Sequence, residues 1–344
     1  KSVYRDLIGR TYQQQFVQAQ ILMDSIWRDD LNYRGKFSES ERIVNKSTEY
    51  YVKYTSPVVL SADSILYVKS SYENSTELVL VARGEERHLR NFSGQISRLV
   101  RKDNRVYFTE KVGSSRWQAD VYSNLYCMDL DNYRISKITA KGWYYNPAVF
   151  PKTDQILLIE YLNNGGSRLA VVNPCKANNQ YSNAVSYISV PGNSQVTSAV
   201  WSADNIYITS LSAMGLALYK AKYNFKSHTI EGNWEMVINH QTSKISELAD
   251  GGDYVYFASD MDGVNNIYKL QDSLLERLTN DKYGAHSAVV YDGYVYYTAA
   301  QSDGYYPVRA RITPAQEFGS KRDVVLKNGE LENLYLYPVA EKLT

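Results

Sequence analysis

The chain has 344 residues, and its 38 lysine and arginine residues nearly balance 37 aspartate and glutamate residues, for a formal net charge of +1. This balance argues against a protein that binds nucleic acid or an anionic membrane surface, since both need an excess of positive charge. No run of ~18 apolar residues predicts a membrane span, and 32 tyrosines against 8 phenylalanines are typical of a strand-rich protein.

Residues 3–31 are predicted to form an amphipathic helix, because apolar residues recur there at the spacings of one helix face. The apolar stripe consists of Ile8, Tyr12, Phe16, Ala19, Met23, Ile26 and Trp27. One helix cannot bury such a stripe alone, so either it packs on the rest of the chain or it ends a domain that lies upstream. Since the chain begins at Lys1 without a signal-peptide pattern, it is expected to be a mature protein or an excised piece.

Residues 32–48 are polar and have no periodicity, so they are predicted to be either a linker or a strap across one face of the following domain. We therefore expect two parts, with the helix and linker at residues 1–48 and a repeat domain at residues 49–344.

An apolar strand recurs six times in the second part. Its copies begin at Ile65, Val106, Ile156, Ile206, Val255 and Val295, at spacings of 41, 50, 50, 49 and 40 residues. Each copy is followed by a polar turn and a partner strand, and most are preceded by another alternating strand. Four short strands in each ~40–50 residues are the period of a β-propeller blade. The prediction is an all-β, six-bladed β-propeller of four-stranded antiparallel blades, with an N-terminal α-helical segment.

A ring of blades must be closed, because an open ring would leave two unpaired sheet edges. The strands predicted at residues 50–54 and 334–339 come from the two ends of the domain and are the candidates for this closure.

One copy carries a specific motif at residues 253–283, which read DYVYFASDMDGVNNIYKLQDSLLERLTNDKY. This run resembles the repeat of TolB-like (PD40, WD40-like) propellers, whose pattern is roughly F-x-S-D-x-D-G-x-x-x-I-Y followed by R-L-T. The W-S-x-D turn of such blades is similar to the Trp201-Ser202-Ala203-Asp204 segment. The resemblance covers about residues 50–344, although the other copies are degenerate.

The resemblance implies a scaffold that binds a protein or another macromolecule in the periplasm or cell envelope of a Gram-negative bacterium. The layout is also similar to envelope proteins in which a gluzincin-like peptidase domain ends in a Trp-containing helix before the propeller. No H-E-x-x-H motif occurs in this chain, so such metal chemistry would lie outside it.

The candidate binding face is the one that carries the blade-to-blade links and the turns between second and third strands. Large rings and polar groups are expected there, and rigid rings desolvate at small entropic cost. The candidate ligand-binding residues are Arg116, Trp117, Trp143, Tyr144, Tyr145, Asp260, Tyr283, His286 and Tyr305.

Other chemistry is less favoured by the residues. Asp260 and Asp262 lack the full set of alternating oxygen ligands for Ca²⁺ and are better explained as turn residues. His286 opens an innermost strand and is either a channel acid or base or a structural histidine. Cys127 and Cys175 fall on different sheets, so no disulfide is expected, and neither a metal nor a cofactor is predicted.

The sequence therefore predicts a monomeric, non-catalytic propeller with a protein or peptide partner. The alternatives are a propeller enzyme of the glycosidase or lyase type, with carboxylates and His286 at the channel mouth, and an accessory domain of a peptidase. Acidic side chains converging on a deep pocket would favour the enzyme, whereas an aromatic rim over a plugged channel would favour binding.

Overall fold

The computed structural model describes residues 5, 9–44, 49–113, 121–140, 142–150, 152–174, 185–192 and 194–312. The chain divides into two compact units. The larger unit is Phe37–Ala315, and the helix belongs to the other.

The helix α1 runs from Tyr12 to Arg34, and of the predicted helical start at residues 3–8 only Arg5 is described, in a helical conformation. A capping box sets the start at Tyr12, since the Thr11 side chain accepts from the Gln14 N–H at 3.3 Å and the Gln14 side chain accepts from the Thr11 N–H at 2.9 Å. Gly35, with a φ of +70°, ends it. Tyr12, Phe16 and Trp27 are each more than half exposed. That this stripe packs on the larger unit stays a prediction.

The larger unit is built from short antiparallel strands. In chain order they are β1 Glu41–Arg42, β2 Val52–Ser61, β3 Ser64–Ser71, β4 Glu77–Ala82, β5 Glu85–Asn91, β6 Gln95–Ile96, β7 Val100–Lys102, β8 Arg105–Gly113, β9 Val121–Asp129, β10 Ile135–Lys137, β11 Tyr144–Val149, β12 Ile156–Tyr161, β13 Ser167–Val172, β14 Val185–Ile188, β15 Gln195–Ser202, β16 Asn205–Ser212, β17 Gly215–Asn224, β18 Thr229–Gln241, β19 Ile245–Asp250, β20 Val255–Ser259, β21 Asn266–Gln271, β22 Leu274–Arg277, β23 Ala285–Tyr291, β24 Tyr294–Gln301 and β25 Gly304–Arg311. All six predicted apolar strands are present, as β3, β8, β12, β16, β20 and β24.

These strands form a β-propeller arrangement, but not six separate sheets. Four separate sheets of four or five strands contain β6–β10, β11–β14, β15–β18 and β19–β22. The remaining eight strands, β1–β5 and β23–β25, form one continuous sheet. The count of separate blades is thus four rather than the predicted six, because the two ends of the unit are hydrogen-bonded to each other.

Both β1 and β2 contribute to this junction. The β2 strand pairs in parallel with β25, where the Val52 N–H donates to the Asp303 carbonyl at 3.3 Å. The β1 strand pairs antiparallel with β25 and places Glu41 opposite Arg309. Residues 41–42 fall in the stretch predicted to be a linker or a strap, whereas the predicted closing strand at residues 334–339 lies outside the described residues.

Each four-stranded repeat is called a meander, and its first strand is the innermost one. A bulge interrupts this innermost strand at the same position in each meander. The register shifts after Thr55, Tyr145, Val196, Ser246 and His286 in β2, β11, β15, β19 and β23. In the remaining meander the strand is split into β6 and β7 around residues 97–99. A bulge bends a strand and re-aims its side chains, and here residues at the bulges line a common cavity.

The core lies between neighbouring sheets. Trp201 is fully buried there between Phe150 and Tyr223, with ring centroids 5.5 and 5.7 Å away. Tyr67, Tyr296, Tyr297 and Tyr306 are buried as well, consistent with a structural role for much of the tyrosine content.

Candidate functional site

A central cavity of about 420 Å³ lies on the innermost strands and is called the upper cavity. The bulge position of every meander contributes a lining residue. These residues are Ser56, Arg98, Asn146, Thr197, Glu247 and Ser287. Ser56, Asn146, Glu247 and Ser287 adopt φ values between +47° and +58°, a strained backbone that is found most often at functional sites.

Arg98 lines the upper cavity and also reaches a second sheet. Its guanidinium donates a hydrogen bond to the Leu248 carbonyl on β19. Arg98 and Pro57 also line a second cavity of about 420 Å³, called the lower cavity. Arg98 and Pro57 therefore lie at the boundary between the two cavities.

Charge in the upper cavity comes from Lys53, Arg98 and Glu247. The Glu247 carboxylate accepts two hydrogen bonds from Ser287, which lies on β23, the innermost strand of the following meander. The Ser287 N–H donates at 2.5 Å and the Ser287 hydroxyl at 3.1 Å. Glu247 is the sole carboxylate among the described lining residues of this cavity, and the lining carries one more positive than negative charge.

The lower cavity has a different character. Its lining includes Asp250 and Tyr256 beside Val58, Val200 and Val289. Burial raises the pKa of the Asp250 carboxyl, with opposing hydrogen bonds from Ser202 and Gly252. Burial also raises the pKa of Tyr256 to about 12, and its hydroxyl accepts from the Val290 N–H at 3.3 Å.

An aromatic row lies beside the upper cavity and consists of Tyr72, Tyr51, Tyr305 and His286. Consecutive ring centroids are 5.7, 6.4 and 5.2 Å apart. Tyr72 is 87% exposed and Tyr51 is 37% exposed. The Lys53 ammonium, which lines the cavity, lies 5.2 Å from the Tyr305 ring centroid and so links the row to the cavity.

His286 is the inner end of the row. Burial lowers the pKa of its imidazole, and the charges of Lys244 and Lys53 act in the same direction. The charge of Glu247 opposes them. At neutral pH these effects favour the uncharged imidazole, which suits an aromatic contact.

The structure brings His286 and Tyr305 together in the aromatic row, whereas Trp143, Tyr144 and Tyr145 lie elsewhere among the described residues. Trp143 is 44% exposed, whereas Tyr144 is 6% exposed and packs in a core cluster with Ile156 and Leu158. The Tyr145 ring lies 5.0 Å from Tyr161. None of these contacts involves a member of the aromatic row.

Tyr283 is 62% exposed, with the Lys282 ammonium 5.0 Å from its ring centroid. Arg116 and Trp117 lie outside the described residues.

Asp260 and Asp262 hold turns together. The Asp260 carboxylate accepts from the Lys244 N–H at 2.7 Å, across the link that precedes β19. The Asp262 carboxylate accepts from the Tyr268 hydroxyl at 2.8 Å and from Arg277 at 2.7 Å. No group of three His, Cys, Asp or Glu side chains converges as metal ligands among the described residues.

Sequence reasoning did not single out Lys53, Tyr51, Tyr72, Arg98 or Glu247. One signal was available, because Pro147 directly follows the bulged residue Asn146 within a predicted strand, and Pro57 directly follows the bulged residue Ser56. A proline inside a strand marks a bulge or an edge. The other bulges carry no proline.

Two further features concern the described residues. Cys127 is a buried free thiol whose pKa is raised by burial, and Cys175 lies outside the described part of the chain. In that part, no helix is long and apolar enough to cross a membrane.

No family model matches the sequence, and no curated protein matches it. Among solved structures, a puromycin hydrolase mutant complexed with PGG has a TM-score of 0.51 and 11% identity, over 83% of this chain and 47% of that one. A structural genomics protein of unknown function from Bacteroides thetaiotaomicron has a TM-score of 0.50 and 10% identity, over 79% and 72%. TolB from Acinetobacter baumannii has a TM-score of 0.46 and 10% identity, over 78% and 65%. The chain spans about half the length of the puromycin hydrolase, and similarities at this identity concern the fold alone.

Proposed function

We propose that this chain is a non-catalytic, six-bladed β-propeller that binds a protein or peptide ligand in the bacterial cell envelope. The ligand binds on the face that holds the aromatic row, over the mouth of the upper cavity. The observation that carries this proposal is the continuous row of rings beside a polar cavity, with Tyr51 and Tyr72 exposed.

The six-blade count treats the eight-stranded sheet as two blades. The junction between β2 and β25 in this sheet resembles the contacts between other neighbouring sheets. In these contacts, the start of one meander's innermost strand meets the start of the third strand of the preceding meander. The Ser123 N–H donates to the Gly142 carbonyl at 2.8 Å, and the Ala285 N–H donates to the Asn265 carbonyl at 2.7 Å. The bond from Val52 to Asp303 occupies the corresponding place in the eight-stranded sheet.

Binding is preferred to glycoside cleavage because of the carboxylates. That reaction uses a pair of carboxyl groups in one cleft, and the described lining of the upper cavity supplies Glu247 alone. The carboxylate of Glu247 is also engaged by Ser287. A second candidate function is that of an accessory propeller in a larger peptidase, for which the likeness to puromycin hydrolase offers a shared fold and nothing more.

The proposal is tested with peptides selected from a random displayed library against the full chain. Their affinities are then measured by fluorescence anisotropy for the wild type and for Tyr51→Ala and Tyr72→Ala. Each substitution is expected to weaken binding by about 10-fold or more, because exposed rings at an interface centre contribute ~2 kcal/mol.

The matched control is Tyr291→Ala. Tyr291 is 40% exposed, close to the 37% of Tyr51, but it lies at the turn between β23 and β24 on the opposite face. Equal losses in all three variants, or no loss in the first two, would reject the aromatic row as the binding surface.

A further inference from the structure

The lining of the upper cavity has a composition that the aromatic row does not explain. Nine of its lining residues are serine or threonine, and Gln95 and Asn146 add two amides. Its volume of about 420 Å³ lies within the ~300–1,000 Å³ of typical ligand pockets. The upper cavity is thus polar, large enough for a small ligand, and adjacent to the aromatic row.

Arg98 provides a charged floor with unused donors. Among the described residues, its guanidinium makes one hydrogen bond, to the Leu248 carbonyl. A guanidinium carries five N–H donors in a planar fork, which matches the two oxygens of a carboxylate. The bond to Leu248 fixes the side chain, so the remaining donors are held in place for a ligand.

Lys53 supplies a second cation at the side of the cavity that adjoins the row. Its position over the Tyr305 ring places the ammonium between the approach and the cavity. The opposing charge of Glu247 is already hydrogen-bonded by Ser287. A ligand that brings one negative charge would therefore neutralise the lining rather than add to an existing excess.

We infer that the upper cavity binds a carboxylate of the peptide ligand, which pairs with Arg98 at the floor and with Lys53 at the entrance. The carboxylate belongs either to the end of the peptide chain or to an aspartate or glutamate side chain. This inference rests on the proposed function, since the peptide reaches the cavity by way of the aromatic row.

Two pairs of small probes test it in ligand-detected NMR titrations with the full chain. Hippurate and neutral hippuramide represent a chain end beside an aromatic ring. The α-methylamides of N-acetylaspartate and N-acetylasparagine represent a side chain. In at least one pair the charged member is expected to bind about 10-fold more tightly, because hydrogen bonds to a charged group are stronger than those between neutral groups.

Variants identify the receptor groups. Arg98→Met is expected to abolish the preference for the charged probe, and Lys53→Met to reduce it by about 3-fold, as befits a more exposed ion pair. Lys226→Met is the matched control, since this exposed lysine lies on the turn between β17 and β18 on the opposite face. Should Arg98→Met fail to fold, Arg98→Lys keeps the charge without the fork, and Lys53→Met still tests the entrance.

A preference in the hippurate pair assigns the site to a chain end, and one in the aspartate pair assigns it to a side chain. Equal affinity within both pairs, absence of binding by all four probes, or a preference that survives both Arg98→Met and Lys53→Met would overturn the inference. In those cases the proposed function would still be supported if the selected peptides lose affinity in Tyr51→Ala and Tyr72→Ala. Unchanged affinity in those two variants, with the preference for the charged probe intact, would reject the proposed function alone.

Discussion

Thr279 and Asn266 show what single residues of the repeat motif do. The Thr279 hydroxyl accepts from the Ile267 N–H at 2.9 Å and donates to the Asn266 side chain at 3.2 Å, both in buried positions. These bonds join β21, the third strand of its meander, to the link that follows β22. The threonine of the R-L-T part therefore supplies a hydrogen-bond partner to a buried backbone N–H that would otherwise lack one.

A second copy of this arrangement went unrecognised in the sequence. Thr139 accepts from the Leu125 N–H at 2.9 Å, and Asn124 accepts from the Gly142 N–H at 3.2 Å. The sequence around it lacks the D-x-D-G turn, so only Asn124 and Thr139 remain as signals. Two polar residues 15 positions apart are too few to be recognised without the paired strands.

His286 makes a pH-dependent contribution that can be measured. Since burial lowers its pKa in the folded chain, the unfolded chain takes up the proton first as the pH falls through about 6.5. This contribution is fully present above that pH and is lost as the pH falls toward the folded pKa. The free energy of unfolding should therefore decrease between about pH 7 and pH 5.

His286→Gln should make that decrease smaller, and urea unfolding at several pH values checks it. The His88→Gln variant is the control, because the His88 side chain is 51% exposed and pairs with Glu77 outside the cavity. Identical pH dependence in the wild type and His286→Gln would contradict the effect of burial.

At the scale of strands, the recurring apolar runs were sufficient to locate the six most apolar strands but not the irregularities of their neighbours. Every predicted apolar strand is present because both of its faces are buried between sheets. The bulges depend on the register against the next strand, which a single strand's pattern does not contain. Consequently the cavity-lining residues, which the bulges re-aim, could not be predicted from periodicity.

The junction between β2 and β25 depends on a glycine. Gly304 has a φ of +152°, and a Cβ there would lie 2.0 Å from the Val52 carbonyl oxygen. Gly304→Ala should therefore push the two strands apart and lower the free energy of unfolding by about 2–4 kcal/mol. Chemical denaturation measures the change.

Gly293→Ala separates this clash from the strain of a positive φ. Gly293 has a φ of +74° with nothing within 4 Å of its added Cβ, so the expected loss is only about 1–2 kcal/mol. Equal losses in the two variants would mean that the close approach of Val52 contributes nothing.

For the larger unit as a whole, closure joins residues that are far apart in sequence. Glu41 and Arg309 pair at 2.8 Å although 268 positions separate them. The sequence predicted that strands from the two ends close the ring, but the polar residues 37–44 gave no strand signal. Two residues pairing at an edge have no periodicity to detect, so this part of the closure could not be predicted.

Residues 37–44 are held to the unit by several kinds of contact. The Ser38 N–H donates to the Asn280 carbonyl at 2.9 Å, and the Ile43 N–H donates to the Pro307 carbonyl at 3.0 Å. The Arg42 guanidinium lies 4.0 Å from the Tyr306 ring centroid, and Val44 is 1% exposed. Loss of this segment would uncover the edge of β25 and part of the core.

Two truncations isolate that contribution. Removal of residues 1–36 leaves the segment in place, whereas removal of residues 1–44 deletes it. The second variant should melt roughly 5–10 °C below the first, because a buried valine and several edge hydrogen bonds together stabilise the unit by ~3 kcal/mol. Calorimetry measures both melting temperatures, and near-equal values would show that the ring is closed without β1.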